Sequence, residues 1–436
     1  MKKSAMRYLN CMNGVETTTI NTEGTGVITI HLIPARVGKR ELDSLVILNG
    51  YKMATLRPSW TILLSVFIRE VNKYSGKEMS EEEWIEVESK ICKKMKKIFP
   101  YHSKEKFIFD LNELIESLSQ IARENAYELD DSIAISDYVD KMAGPIRMDL
   151  MVSSIKMNEK WNCNQKCKYC NFVEKTHDEV SEMSTYEWKK VIEKLWKEAY
   201  VSQITFTGGG EPTMREDLVE IIKTARRFIT KLETNGIKLE NKDYCRKLKN
   251  AFLDSVKITL YSSNSDIHNK LVGIPNGFEK TVKGIKNALN EKMNVTVNTP
   301  IVFENKEGYR STLEFLRQLG VVYVECSSVT DDIKYAEWLR ILKEAAKFCE
   351  ENGMKLTFSL PGKVPDSILK KLDLEIPHRG ECLFNMAIAP NGNVIPCTTL
   401  NDINSSLGNI FGAKWFDGIW MNPKAQTIRK EIIKNI

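Results

Sequence analysis

The chain lacks the features that would place it in a membrane, on nucleic acid or outside the cell. No apolar run approaches the ~18 residues that cross a bilayer; the longest, residues 60–68, stops at Arg69. Charge of one sign is not in excess: 63 Lys and Arg against 58 Asp and Glu leave a net charge of +5, too mild to draw a polyanion to the surface. Lys90, Lys93, Lys94, Lys96 and Lys97 form one basic group. Glu81, Glu82, Glu83, Glu86 and Glu88 precede them on the same predicted helix, so acid at its start and base at its end complement the helix dipole. No signal-peptide pattern follows Met1-Lys2-Lys3, and 10 cysteines scattered over 436 residues are not a disulfide framework. The expectation is a cytoplasmic protein with neither a membrane nor a nucleic-acid partner.

What is present is a concentration of cysteine: Cys163, Cys167 and Cys170 fall within eight residues. Zinc usually takes four ligands, as two C-x2-C pairs or as cysteines with histidines. No second pair lies nearby, and His177 is the only close histidine. A structural [4Fe-4S] cube normally uses four thiolates, so three leave one iron open to a small molecule. The spacing favours a cluster, with a zinc knuckle or buried thiols as the alternatives. Downstream, an alternating apolar run from Gln203 ends in Gly208, Gly209, Gly210 and Glu211. Glycines allow close backbone approach, and a carboxylate can accept from an ammonium group.

Together, C-x3-C-x2-C with Tyr169 before the last cysteine and the later Gly-Gly-Glu resemble the signature of the radical S-adenosylmethionine (SAM) superfamily. The resemblance implies that Cys163, Cys167 and Cys170 hold a [4Fe-4S] cluster, with Tyr169 packed beside it. It implies that Gly208, Gly209, Gly210 and Glu211 hold the methionine part of S-adenosylmethionine at the open iron. An electron from a flavodoxin- or ferredoxin-type reductant would then cleave the cofactor to methionine and a 5′-deoxyadenosyl radical. Ser262, after the fourth strand, is the candidate for the ribose. Relatives carry a His-Asp…Arg-Gly turn beyond it, but here Leu271-Val272-Gly273 replaces the expected arginine. His268 reads as a turn residue rather than a base. Asn298 and Thr299 face either the adenosine or a packed helix. No catalytic side chain is assigned.

From Leu150 to Glu351, strand-like runs alternate with helical ones, which predicts six β/α units with a first strand near residues 151–157. Ser184-x-x-Glu187 and Ser80-x-x-Glu83 read as capping boxes that open helices. The fold class is α/β: a partial (β/α)6 TIM-like barrel, as the resemblance implies, with an N-terminal α+β winged-helix-like module and a C-terminal twitch-like extension. Ligands then gather at the carboxyl ends of the strands. The expected division is a module at 1–121, a linker at 122–148, the barrel at 149–355 and the extension at 356–436.

The extension contains Cys382 and Cys397 in the pattern C-x9-G-x4-C, which resembles the opening of a SPASM or twitch element. That family uses such cysteines to ligate auxiliary clusters, and both are candidate ligands here. The C-x2-C group that should follow is absent before Ile436. Either the chain stops short of the remaining ligands, or the cluster is lost, or Cys326 or Cys349 completes it. An incomplete or cluster-free auxiliary site is favoured.

The first module resembles the winged-helix element that binds the leader of a ribosomally made precursor peptide by strand addition. A packing or dimerisation module fits its pattern equally. The preferred function is installation of a crosslink, thioether or epimerised residue in such a peptide. A radical SAM dehydrogenase or mutase acting on a small molecule is the runner-up, and a non-catalytic iron-sulfur peptide-binding scaffold is the third reading.

Overall fold

A computed structural model describes residues 3–12, 15–22, 26–35, 43–49, 52–74, 79–123, 144–157, 160–170, 172, 181–199, 201–327, 333–359, 385–398 and 406–433. Cys382, His177 and most of the expected linker lie outside the described residues. The chain divides into two units, Met1–Ile133 and Ala134–Ile436. Among the described residues no helix is long and apolar enough to cross a membrane.

The first unit opens with helix α1 (Lys3–Asn10) and four antiparallel strands paired in chain order, β1 (Glu16–Thr22), β2 (Gly26–Ile33), β3 (Ser44–Leu48) and β4 (Lys52–Leu56). Helices α2 (Pro58–Val71), α3 (Glu81–Ile98) and α4 (Lys104–Arg123) follow. Helix α2 is apolar on nearly every face, as a helix buried between layers must be, and Ile62, Leu64, Val66 and Phe67 lie in the core. Helix α3 starts at the expected capping box: Glu83 N donates to Ser80 Oγ at 3.2 Å and Ser80 N to Glu83 Oε2 at 2.9 Å. Strand β1 has too few apolar residues to announce itself. Polar contacts with α2 hold it instead, through Glu16 with Ser65 at 2.7 Å and Arg69, and through Asn72 Nδ2 donating to Thr17 O at 2.7 Å.

The second unit is built on β5 (Arg147–Ser153), a ribbon of β6 (Lys156–Met157) and β7 (Lys160–Trp161), and helix α5 (Thr185–Lys194). Strand and helix then alternate through β8 (Gln203–Gly208), α6 (Leu218–Thr224), β9 (Ile229–Thr234), α7 (Lys242–Asn250), β10 (Ser255–Thr259), α8 (Ser265–Val272) and α9 (Gly277–Asn290). The run finishes with β11 (Asn294–Asn298), α10 (Tyr309–Gln318), β12 (Tyr323–Cys326), α11 (Tyr335–Glu351) and β13 (Lys355–Phe358). Strands β14 (Asn385–Ile388), β15 (Asn393–Ile395) and β16 (Gly408–Asn409) and helix α12 (Pro423–Ile433) complete it. All belong to one sheet in the order β13-β12-β11-β10-β9-β8-β5-β14-β15-β16, apart from the β6–β7 ribbon. The pairs from β13 to β14 are parallel. This is the open, parallel architecture of a partial TIM-like barrel.

Three expectations are corrected. The first strand ends at Ser153, because the register shifts between Met151 and Ser153 and Lys156–Met157 turns back to pair with Lys160–Trp161. It begins at Arg147, inside the expected linker, and helix α4 reaches Arg123 from the other side. A seventh parallel strand, β13, straddles the expected boundary at 355, and β14 pairs with β5, so the extension continues the barrel sheet. Alternation sets which side chains reach the lumen. In β10, Val256 and Ile258 are fully buried against the helices, while Ser255, Lys257 and Thr259 face inward.

Candidate cofactor site

Cys163, Cys167 and Cys170 are free, half-buried thiols on the loop that leaves β7. The loop is tied down on two sides. Lys166 N donates to Val272 O at 2.9 Å and Lys168 N to Leu271 O at 2.8 Å, at the last turn of α8. Gly273 then turns away at φ 69°, and a Cβ there would stand 2.5 Å from Lys166 O, so only glycine lets the loop dock. The Leu-Val-Gly that replaces the relatives' arginine thus supplies backbone acceptors to the cysteine loop. On the other side Glu304 takes Lys168 Nζ at 2.7 Å and the Tyr169 hydroxyl at 2.9 Å.

Burial pushes the Cys163 thiol up to about 11 and the Cys167 thiol up to about 12, and each is raised further by the charge of neighbouring thiolates and of Glu211. Thiolates so placed need positive charge between them. Among the described residues no three His, Cys, Asp or Glu side chains converge on a point as ligands of a single ion do.

Strand β8 delivers the glycines beside that loop. A Cβ on Gly208 would fall 2.1 Å from Ser153 Oγ, and one on Gly210 would fall 2.2 Å from Asn162 O and 2.5 Å from Ser154 O. Gly208 is required by the neighbouring strand β5, and Gly210 because the turn passes the segment leading into the cysteine loop backbone to backbone. Gly209 is less constrained, its nearest obstacle being Ile155 N at 3.2 Å. Gly210→Ala should therefore cost about 1–3 kcal/mol by overpacking, with Gly209→Ala well below it, as read from urea denaturation midpoints of the two variants.

Ser153 Oγ is fully buried and has no hydrogen-bond partner. An orphaned hydroxyl against the glycine turn is what a missing polar ligand leaves behind. Glu211 is differently occupied: Oε1 accepts from Thr213 N at 3.1 Å, Thr213 Oγ1 at 2.7 Å and Thr234 Oγ1 at 2.6 Å, and Oε2 from Asn235 N at 2.9 Å. Its carboxylate first of all braces β8 against β9.

Sequence reasoning missed the pair beneath both loops. Glu182 Oε1 accepts from Ser154 N at 2.7 Å, Ser154 Oγ at 2.9 Å and Asn162 Nδ2 at 2.9 Å, while Oε2 meets Arg215 Nη1 at 3.1 Å. Arg215 also donates to Val152 O and Met183 O and pairs with Asp217. The one available hint was an arginine directly after Gly-Gly-Glu-Pro-Thr-Met, in a segment that must lie against the site.

The remaining candidates separate. Ser262 Oγ, buried just past β10, accepts from Asn264 N at 3.0 Å. His268 lies in helix α8 and not in a turn; Tyr261 N donates to its Nδ1 at 3.2 Å, and burial lowers its pKa to about 4, so the ring is neutral. Asn298 Oδ1 accepts from Ser327 N at 3.1 Å, and Thr299 is fully buried with Tyr309 donating to its carbonyl at 2.7 Å. Inside the lumen Lys257 Nζ bridges Glu233 at 2.8 Å and Glu325 at 3.0 Å. Burial would raise the Glu233 carboxyl, but Lys257 and Lys231 outweigh it and hold the group at about 2.

Cys326 and Cys349 are the further candidates for an auxiliary site. Both are buried in the main core, and Cys326 alternates with lumen-facing Glu325, so its thiol points into the helix layer beside Tyr309. Cys397 is buried, and Cys382 lies outside the described residues.

Residues 162–316 match the radical SAM superfamily, and residues 382–435 match the SPASM iron-sulfur cluster-binding domain. Among relatives, a probable GTP 3′,8-cyclase of Saccharolobus solfataricus is 32% identical over 171 residues, 36% of this chain and 51% of that protein. The chain thus spans about half the length of the cyclases it matches. The PqqA peptide cyclase of Bradyrhizobium diazoefficiens is 27% identical over 282 residues, 60% of this chain and 71% of that one. Of solved structures, Streptococcus suis SuiB superposes with a TM-score of 0.57 at 15% identity, over 89% of this chain and 88% of its own. The structure of anSMEcpe with bound AdoMet and the Kp18Cys peptide gives 0.53 at 17%, over 66% and 84%.

Fold and site define a radical SAM barrel with a SPASM extension. The chain carries a radical SAM domain at residues 162–316 and a SPASM domain at residues 382–435. A [4Fe-4S] cluster and S-adenosylmethionine belong to the former domain, and auxiliary iron-sulfur clusters to SPASM. The grouped thiols, the glycine turn and the orphaned Ser153 hydroxyl fit the first pair.

Proposed function

We propose that the chain installs a post-translational modification in a ribosomally synthesised precursor peptide by radical SAM chemistry. The observation that carries this reading is the extent of the likeness to SuiB. It covers 89% of a 436-residue chain, which the 303 residues from Ala134 to Ile436 cannot supply alone. The first unit is therefore part of the shared fold, and SuiB has been solved bound to its precursor peptide SuiA. The unit's antiparallel sheet has β1 and β4 as its outer strands, and outer strands are where an extended leader can add.

A cluster and S-adenosylmethionine held there would supply one-electron reductive cleavage and hydrogen-atom abstraction. This chain's residues bind and orient. Cys163, Cys167 and Cys170 would hold the cluster, and Tyr169 and Glu304 fix the loop that carries them. Gly208, Gly209, Gly210, Ser153 and the remaining lone pair on Glu211 would receive the methionine part, and Ser262 the ribose. Glu233, Lys257 and Glu325 form a polar floor to the lumen, so the group presented to the cofactor meets hydrogen-bonding surface.

The runner-up, a small-molecule substrate, draws on the 32% identity to the GTP 3′,8-cyclases, which is confined to 36% of this chain. A short reading frame beside the gene, if one is found there, would supply the discriminating probe. Its fluorescently labelled leader should bind the full-length chain at least about tenfold tighter than a scrambled peptide, about 1.4 kcal/mol, by anisotropy titration. Equal affinities would favour the small-molecule reading.

A further inference from the structure

Gln165 stands between Cys163 and Cys167 and is 4% exposed. The Trp161 indole N–H fixes its carbonyl at 2.8 Å. Its Oε1 accepts the Cys167 thiol at 3.3 Å, whereas Nε2 is buried without a partner. A buried amide N–H left unpaired is rare in folded proteins and needs a reason.

This arrangement suits the thiol alone. Once Cys167 ligates iron its sulfur has no proton to give, and Oε1 would face an electron-rich atom. Half a turn of the terminal amide exchanges oxygen and nitrogen at almost no steric cost. That rotation sets an N–H against the sulfur where Oε1 now stands and removes the orphaned donor. A carbonyl oxygen short of a donor is the better tolerated of the two.

We propose that Gln165 donates an N–H···S hydrogen bond to the iron-bound sulfur of Cys167 and thereby raises the reduction potential of the cluster. The proposal rests on the reading that the three cysteines hold that cluster. Hydrogen bonds to cluster sulfurs stabilise the extra negative charge of the reduced state, so the bond eases entry of the electron. Gln165 acts through the cluster and touches neither substrate nor the reacting carbon.

The test is a potentiometric titration of the reconstituted full-length chain, followed by electron paramagnetic resonance of the reduced cluster. Gln165→Leu keeps the volume and removes the donor: iron content should match the parent and the potential should fall. Gln165→Glu presents only acceptors and should lower it further. A fully loaded Gln165→Leu variant with the parent's potential overturns the proposal. If that variant does not load, the parent chain carries the test through glutamine labelled with nitrogen-15 in its side chain. Pulsed resonance on the reduced cluster should then show a nitrogen coupling that changes with the isotope, and absence of such coupling overturns the proposal. A parent chain that takes up no cluster overturns the underlying reading as well.

Discussion

Cys167→Ala leaves a folded chain that retains no [4Fe-4S] cluster at the three-cysteine loop and forms 5′-deoxyadenosine only at the level of a protein-free control. The expectation follows from the absence of a spare ligand. Three thiols serve a cluster that already leaves one iron for the cofactor, and losing one leaves two, too few to hold a cube. Of the other free thiols described, Cys92, Cys245, Cys326 and Cys349 are all buried. Cys245→Ala is the control. It deletes a buried sulfur on α7 and should cost about 1 kcal/mol or slightly more while leaving iron content and product unchanged. Iron assay, visible absorbance and product chromatography on the two variants check the pair.

The second large effect belongs to Glu182→Ala. Glu182 and Arg215 are mostly buried, with side chains 9% and 10% exposed, and removing one partner of a fully buried ion pair typically costs about 3–5 kcal/mol, which is the upper bound here. The loss reaches the site directly, since the same carboxylate holds Ser154 beside the glycine turn and Asn162 immediately before Cys163. Stability and cluster uptake should fall together. Equilibrium denaturation read by circular dichroism, with iron content measured on the same preparation, checks both. A stable variant with empty cysteines would show that the pair orders the loop alone, and full loading in a destabilised chain that it serves packing alone.

The sequence carried the local signals well. Ser80 with Glu83, and Ser184 with Glu187, mark helix starts through contacts three residues apart, and both form as expected. Strands β9 to β12 were legible because each is buried against helices on one face. Gly392, at φ 85°, makes the turn that joins β14 to β15, as the Pro-Asn-Gly pattern suggests. What was missed depends on distant partners. Strand β1 is polar and held by side chains of α2, and β13 is four residues recognisable only once β12 lies beside it. The first strand was placed too late because a register shift at its end cannot be seen in hydrophobicity. At the site, the cysteines and glycines were readable as motifs. Glu182, Arg215 and Glu304 were not, because their partners lie as far away in sequence as Lys168 and Glu304.

The central claim is that Cys163, Cys167, Cys170 and the turn from Gly208 to Glu211 form one site for a cluster and S-adenosylmethionine. The most direct measurement is anaerobic reconstitution of the full-length chain with iron and sulfide, reduction, addition of S-adenosylmethionine and quantification of 5′-deoxyadenosine. The expected result is one [4Fe-4S] cluster dependent on the three cysteines, with 5′-deoxyadenosine and methionine formed in equal amounts. A fully loaded, fully reduced chain that yields neither product would contradict it.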